Sequence, residues 1–191
     1  MTDNNPIVKE ILLDASPELV FSFLAERDKM LRWMGLTLEM DPRPGGIFRL
    51  DPNGRELIRG EYLEVTPPHR LVFTWGWEEG DARVPAGSTI VEIDLIPQGA
   101  GTLLRLTHRN LPSEGEVRSQ HEFGWSHHLS RLKIVAEGGD PGPDPCWTEQ
   151  PVNAQTKSAV DSKGGLKTHG NLPNRWLSSE TVGSEQGQES D

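Results

Sequence analysis

Gly124-Trp125-Ser126-His127-His128-Leu129-Ser130-Arg131-Leu132-Lys133-Ile134-Val135-Ala136 decides the fold, because the period of the apolar residues changes here. Trp125, Leu129, Leu132, Val135 and Ala136 recur at helical spacing, with Arg131, Lys133 and Glu137 opposite, which is the stripe of an amphipathic helix. We place that helix from about Glu114 to Glu137. Immediately upstream the period is two. Val91, Ile93 and Leu95 face one way and Glu92 and Asp94 the other, and Leu104 and Leu106 oppose Arg105. A sheet with one wet face therefore runs into a long helix that must bury its own stripe.

Reading further toward the N-terminus, Leu36 to Met40, Gly46 to Leu50, Glu56 to Val65, Arg70 to Trp77, Ser88 to Ile96 and Thr102 to Arg109 are six strand-like runs. Turn residues such as Pro42-Arg43-Pro44-Gly45 and Thr66-Pro67-Pro68-His69 separate them, short enough to join antiparallel neighbours. Before them, Val8 to Leu13 reads as a first strand. Ser16-Pro17-Glu18 then supplies a cap, a first-turn proline and an acidic first turn for a helix ending near Ala25. Lys29 to Met34 reads as a second short helix stopped by Gly35. The order is β-α-α-β6-α, an α+β layer fold in which a curved antiparallel sheet of about seven strands wraps a long C-terminal helix. Gly45-Gly46 suits a sharp turn of the sheet, and Gly124 is read as allowing close approach of helix to sheet.

Downstream, Gly138-Gly139-Asp140-Pro141-Gly142-Pro143-Asp144-Pro145 suits neither helix nor strand. We therefore expect residues 1–138 to form the single folded domain and residues 139–191 a disordered Gly/Pro/Ser-rich acidic tail, with Leu172-Pro173-Asn174-Arg175-Trp176-Leu177 either linker or a short docking motif. A low hydrophobic content of 34% over 191 residues agrees with a partly unpacked chain. The net charge of −10 disfavours nucleic acid and anionic lipid as partners. There is neither an apolar run long enough to span a membrane nor a leader pattern at Met1 to Pro6. The single cysteine, Cys146, excludes an intramolecular disulfide and a thiolate metal cage. The expected location is the cytoplasm.

Several further segments carry a resemblance when taken in order. They are Ala15-Ser16-Pro17-Glu18-Leu19-Val20-Phe21, Arg32-Trp33-Met34-Gly35, Arg43-Pro44-Gly45-Gly46-Ile47-Phe48-Arg49, the run from Gly60-Glu61-Tyr62 through Thr66-Pro67-Pro68-His69 to Phe73-Thr74-Trp75, Thr102 with Leu104, Leu106 and His108, and Gly124-Trp125 with Leu129 and Leu132. Over residues 8 to 137 the chain resembles the START-like helix-grip (SRPBCC) superfamily, nearest to its subfamily similar to the activator of the heat shock protein 90 ATPase. The resemblance implies a cavity between long helix and sheet that holds a small hydrophobic or amphipathic molecule, or alternatively a chaperone-regulating interaction domain. It puts Trp33, Phe48, Tyr62, Phe73, Trp75, Trp77, His108 and Trp125 at that cavity.

The residues themselves admit two readings of these rings, a filled core or a ligand wall. His108, His121, His127 and His128 invite a metal reading, but metal-binding helices place ligands three or four apart with a carboxylate, so no metal is expected. No cofactor is expected either. No nucleophile elbow, phosphate loop or H-E-x-x-H motif is present, and Glu64 and His108 are the only polar residues placed near the cavity. Three functions follow in order: a binding module for a small hydrophobic molecule, a protein-interaction domain acting on a chaperone or other protein, and a cyclase-like or hydrolytic enzyme.

Overall fold

Alternating apolar residues build one antiparallel sheet from seven strands: β1 (Ile7–Leu13), β2 (Thr37–Met40), β3 (Ile47–Asp51), β4 (Ile58–Thr66), β5 (Arg70–Trp75), β6 (Thr89–Gln98) and β7 (Gly101–Arg109). The computed structural model describes residues 5–79, 83–112 and 115–145. The sheet order is β1-β7-β6-β5-β4-β3-β2, so the first strand closes against the last and the other neighbours follow as a meander. α1 (Pro17–Ala25) and α2 (Arg27–Met30) follow β1, and α3 (Glu116–Ala136) follows β7. This is the expected α+β, helix-grip order.

The local signals act as read. Ser16 Oγ accepts from the Leu19 N–H with Pro17 in the first turn, capping α1. The Gly45-Gly46 turn requires glycine twice, since Gly45 has φ +81° and a Cβ on Gly46 would lie 1.9 Å from the Asp41 carbonyl oxygen. Gly124 does not act as expected: a Cβ there would meet nothing within 4 Å, so close helix–sheet approach does not depend on it.

One cross-sheet row shows how register builds the interior. Tyr62 pairs with Phe73, Phe73 with Val91, Val91 with His108 and His108 with Ile7, so five side chains from five strands share one buried line. Along α3 the buried residues are Val117, Trp125, His128, Leu129, Arg131, Leu132, Val135 and Ala136. Arg131, read as solvent-facing, is therefore buried. The opposite face of the sheet carries ion pairs: Arg70 reaches Glu64 (3.1 Å), Glu92 (2.9 Å) and Asp94 (2.5 Å), bridging β4, β5 and β6. Glu64 thus belongs to the outer face and not to the interior.

The chain does not lose its order at Gly138. Gly138 takes φ +87°, its N–H donates to the Val135 carbonyl, and the Gly139 N–H donates to the Ile134 carbonyl, a Schellman closure of α3. Residues 139–145 then run back over the fold as an irregular strap. Arg32 donates to the Gly139 carbonyl, Arg131 to those of Pro141 and Gly142, and Asp144 is buried against α3. Glycine and proline do forbid helix and strand here, but side-chain donors take over the backbone acceptors, which the residue pattern does not reveal. Residues 146–191, including Cys146 and the Leu172 to Leu177 motif, lie outside the described residues.

Candidate functional site

The interior between α3 and the sheet is aromatic. Phe48 and Phe73 have centroids 4.6 Å apart, Trp75 and Trp125 5.2 Å, and Phe48 and Tyr62 meet edge-on at 5.9 Å. Trp33, from the turn after α2, closes one end and anchors its indole N–H on the Phe23 carbonyl at 3.0 Å. Around these rings, with Leu24, Met30, Met34, Leu71 and Ile93, lies a space of about 10 Å³. Trp33, Phe48, Tyr62, Phe73, Trp75 and Trp125 all border it. Its size does not match the expectation, because such a volume holds about one water and no organic ligand. Ring packing fills the room that backbone architecture leaves open.

Trp77 and His108 are not on its wall. β5 ends at Trp75; the chain passes Gly76, where a Cβ would lie 1.8 Å from the Pro85 carbonyl oxygen, and Trp77 then bridges to Ile58 and Pro85 and approaches His121. His108 is a fully satisfied structural histidine. Thr89 Oγ1 donates to the Trp75 carbonyl (2.9 Å), so in its 2.8 Å contact with His108 it must accept from Nε2–H. The Trp125 indole N–H donates to Nδ1 at 3.0 Å. Those two bonds fix one neutral tautomer, and burial, aided by the nearby His121, lowers the His108 pKa well below its usual value. Both ring nitrogens of His108 are thus engaged by other side chains, and neither faces the 10 Å³ space.

Two other polar atoms are less well served. Among the described residues, Tyr62 Oη and Trp75 Nε1 are buried without a hydrogen-bond partner, and both residues border the 10 Å³ space. Burial, with the Asp41 charge adding to it, raises the Tyr62 pKa far above its usual range, so the phenol keeps its proton and remains a donor. Two orphan donors in one apolar interior cost about 1–3 kcal/mol each. Sequence reasoning named both residues for their rings; nothing in the sequence signals that their polar atoms lack partners. The four histidines also separate: His108 lies near His121 (5.4 Å between centroids), whereas His127 and His128 lie beside Asp144.

The model of the family described as Activator of Hsp90 ATPase homolog 1-like protein matches residues 14–137. No curated protein matches the chain. Among solved structures, an AHSA1-like protein from Rhizobium etli is 41% identical with a TM-score of 0.62, over 87% of this chain and 96% of that one. An HSP90 activator from Plasmodium falciparum is 25% identical with a TM-score of 0.57, over 68% of this chain and 94% of that one. CalU16 from Micromonospora echinospora is 27% identical with a TM-score of 0.56, over 70% and 76%. Family match, identity and strand order agree, and the chain belongs to the Activator of Hsp90 ATPase homolog 1-like family of the helix-grip superfamily.

Proposed function

We propose that this protein binds a small, mostly apolar molecule bearing a hydrogen-bond acceptor, in the interior between α3 and the sheet, and that the interior opens to admit it. The observation that carries this reading is the pair of orphan donors, Tyr62 Oη and Trp75 Nε1, on residues that border one space. A core selected only for packing gains nothing from leaving two donors unmet. Met30 and Met34, unbranched and adaptable, form the wall nearest the short α2 and are suited to repacking around a guest.

The test uses a fluorescent apolar probe displaced by two competitors of equal length, an alkane and a methyl ketone. Saturable binding is expected, with the ketone competing better. In Tyr62→Phe the ketone's advantage should shrink, since only the Trp75 indole N–H is left to meet it, while stability stays level or rises because the orphan hydroxyl is gone. If no saturable signal appears and native mass spectrometry finds no co-purifying molecule, the reading is wrong. A second reading, an interaction domain acting on the Hsp90 ATPase, is favoured by the small resting volume and by the Plasmodium falciparum relative, an HSP90 activator. Stimulation of a purified Hsp90 ATPase by the full chain, unaltered by Tyr62→Phe, would support it.

A further inference from the structure

Adjacent helix residues point about 100° apart, so His127 and His128 would ordinarily diverge. Here the strap brings Asp144 back against α3 beside both rings. His127 Nε2 is 2.8 Å from Asp144 Oδ1, and His128 Nδ1 is 4.0 Å from Oδ2. His127 uses its far nitrogen and His128 its near one, with ring centroids 5.2 Å apart at 68°. One ligand atom from each of the three residues lies within 4.8 Å of the others. The Asp144 and His128 side chains are 5% and 9% exposed and that of His127 is 20% exposed, so the group is buried with one side toward water.

We propose that His127, His128 and Asp144 form a binding site for a divalent transition-metal ion of the Zn²⁺ type. Two imidazoles and a carboxylate are a donor set such ions accept, with a fourth position left for water. At ligand bonds near 2.0–2.2 Å, tetrahedral ligand atoms lie about 3.4 Å apart. The 2.8 Å and 4.0 Å contacts run to different oxygens of Asp144, so the carboxylate must turn to offer one oxygen to both imidazoles while the three ligand atoms, now within 4.8 Å of one another, draw together. Arg131 acts as the outer support. Its Nε is 3.3 Å from Asp144 Oδ2, while its other nitrogens hold the Pro141 and Gly142 carbonyls, so one side chain orients the carboxylate and fastens the strap that carries it. The same guanidinium charge lies close to the ion and opposes its binding, so affinity is expected to be weaker than that of a structural zinc finger. For His127 to coordinate through Nε2 as a neutral imidazole, the ring proton must sit on Nδ1, and the proton on Nε2 is exchanged to water through the exposed side.

Binding here ties α3 to the strap, and through Arg131, which also donates to the Trp33 carbonyl, to the turn that bears Trp33. The site does not depend on the ligand reading proposed above.

The full chain, stripped with a chelator, is titrated with Co²⁺ and followed by its visible d–d absorption and by calorimetry. One ion per chain is expected, displaced by Zn²⁺ and accompanied by a rise in thermal midpoint. Asp144→Asn and His128→Gln should each weaken binding at least about tenfold. His121→Gln, which lies outside the cluster, and Cys146→Ser should leave it unchanged. If the buried variants fail to fold by circular dichroism, the partly exposed His127→Gln gives the same readout. Absence of Co²⁺ binding, binding indifferent to all three cluster variants, or binding lost in Cys146→Ser alone would overturn the proposal.

Discussion

Replacing Trp125 by Phe probes the bond that holds His108 in one tautomer. The substitution keeps a ring on the α3 stripe but deletes the indole N–H, leaving His108 Nδ1 as an acceptor without its donor at a position that is 0% exposed. An orphaned buried acceptor costs about 1–3 kcal/mol. Three fewer buried heavy atoms, at about 0.8 kcal/mol per methylene equivalent, add about 2 kcal/mol. The sum of about 3–5 kcal/mol is a large part of a typical domain's stability. Packing loss and hydrogen-bond loss are separated by a double-mutant cycle with His108→Leu, measured by urea unfolding at pH 7.5 with the m-value held constant. If the indole–imidazole bond is as described, the double variant is less destabilised than the sum of the singles by about 1–3 kcal/mol. Additivity within about 0.5 kcal/mol would refute the argument that these two side chains satisfy each other.

Further predictions follow from the same geometry. Because the folded-state pKa values of His108 and His128 are both lowered, chiefly by burial, the unfolded chain binds more protons below about pH 6.5, the unfolded histidine value. Stability should therefore be full above that pH and fall as pH drops, by up to about 1.4 kcal/mol per pH unit for each histidine; His108→Leu should flatten the slope between pH 7 and pH 5, and an unchanged slope would contradict the assignment. Truncation after Pro145 should keep the thermal midpoint, whereas truncation after Gly138 removes the Arg131 and Asp144 contacts and should lower it by at least about 4 °C; equal midpoints would show that the strap contributes nothing. In Gly60→Ala the new Cβ would lie 1.7 Å from the Thr74 carbonyl oxygen, so β4 and β5 must separate, at a cost of about 1–3 kcal/mol or more by calorimetry.

The α+β order was legible because each element carries its own signal within a few residues. The Ser16-Pro17-Glu18 cap, the alternation of Val91, Ile93 and Leu95, and the helical stripe from Trp125 to Ala136 are local, and hydrophobic burial acts on such patterns whatever their distant partners. The ring set was largely legible for the same reason, since inward faces of strands can be counted. Trp77 was misplaced because period-two counting runs on past the point where the strand ends. Past that end Trp77 bridges to Ile58 and Pro85, a pairing between distant chain segments that no local pattern encodes.

What only the tertiary structure decided is where polar groups find partners. His108 is neutral because Thr89 on β6 and Trp125 on α3 meet its two nitrogens from different elements. Among the described residues nothing polar reaches Tyr62 Oη or Trp75 Nε1, and Asp144 joins His127 and His128 where Arg131 holds the strap against the helix. Hydrophobic burial is non-directional, so composition and period suffice to foresee it. Hydrogen bonds and ligand sets depend on angles and on distances near 3 Å between residues far apart in the chain, and only the folded arrangement sets those.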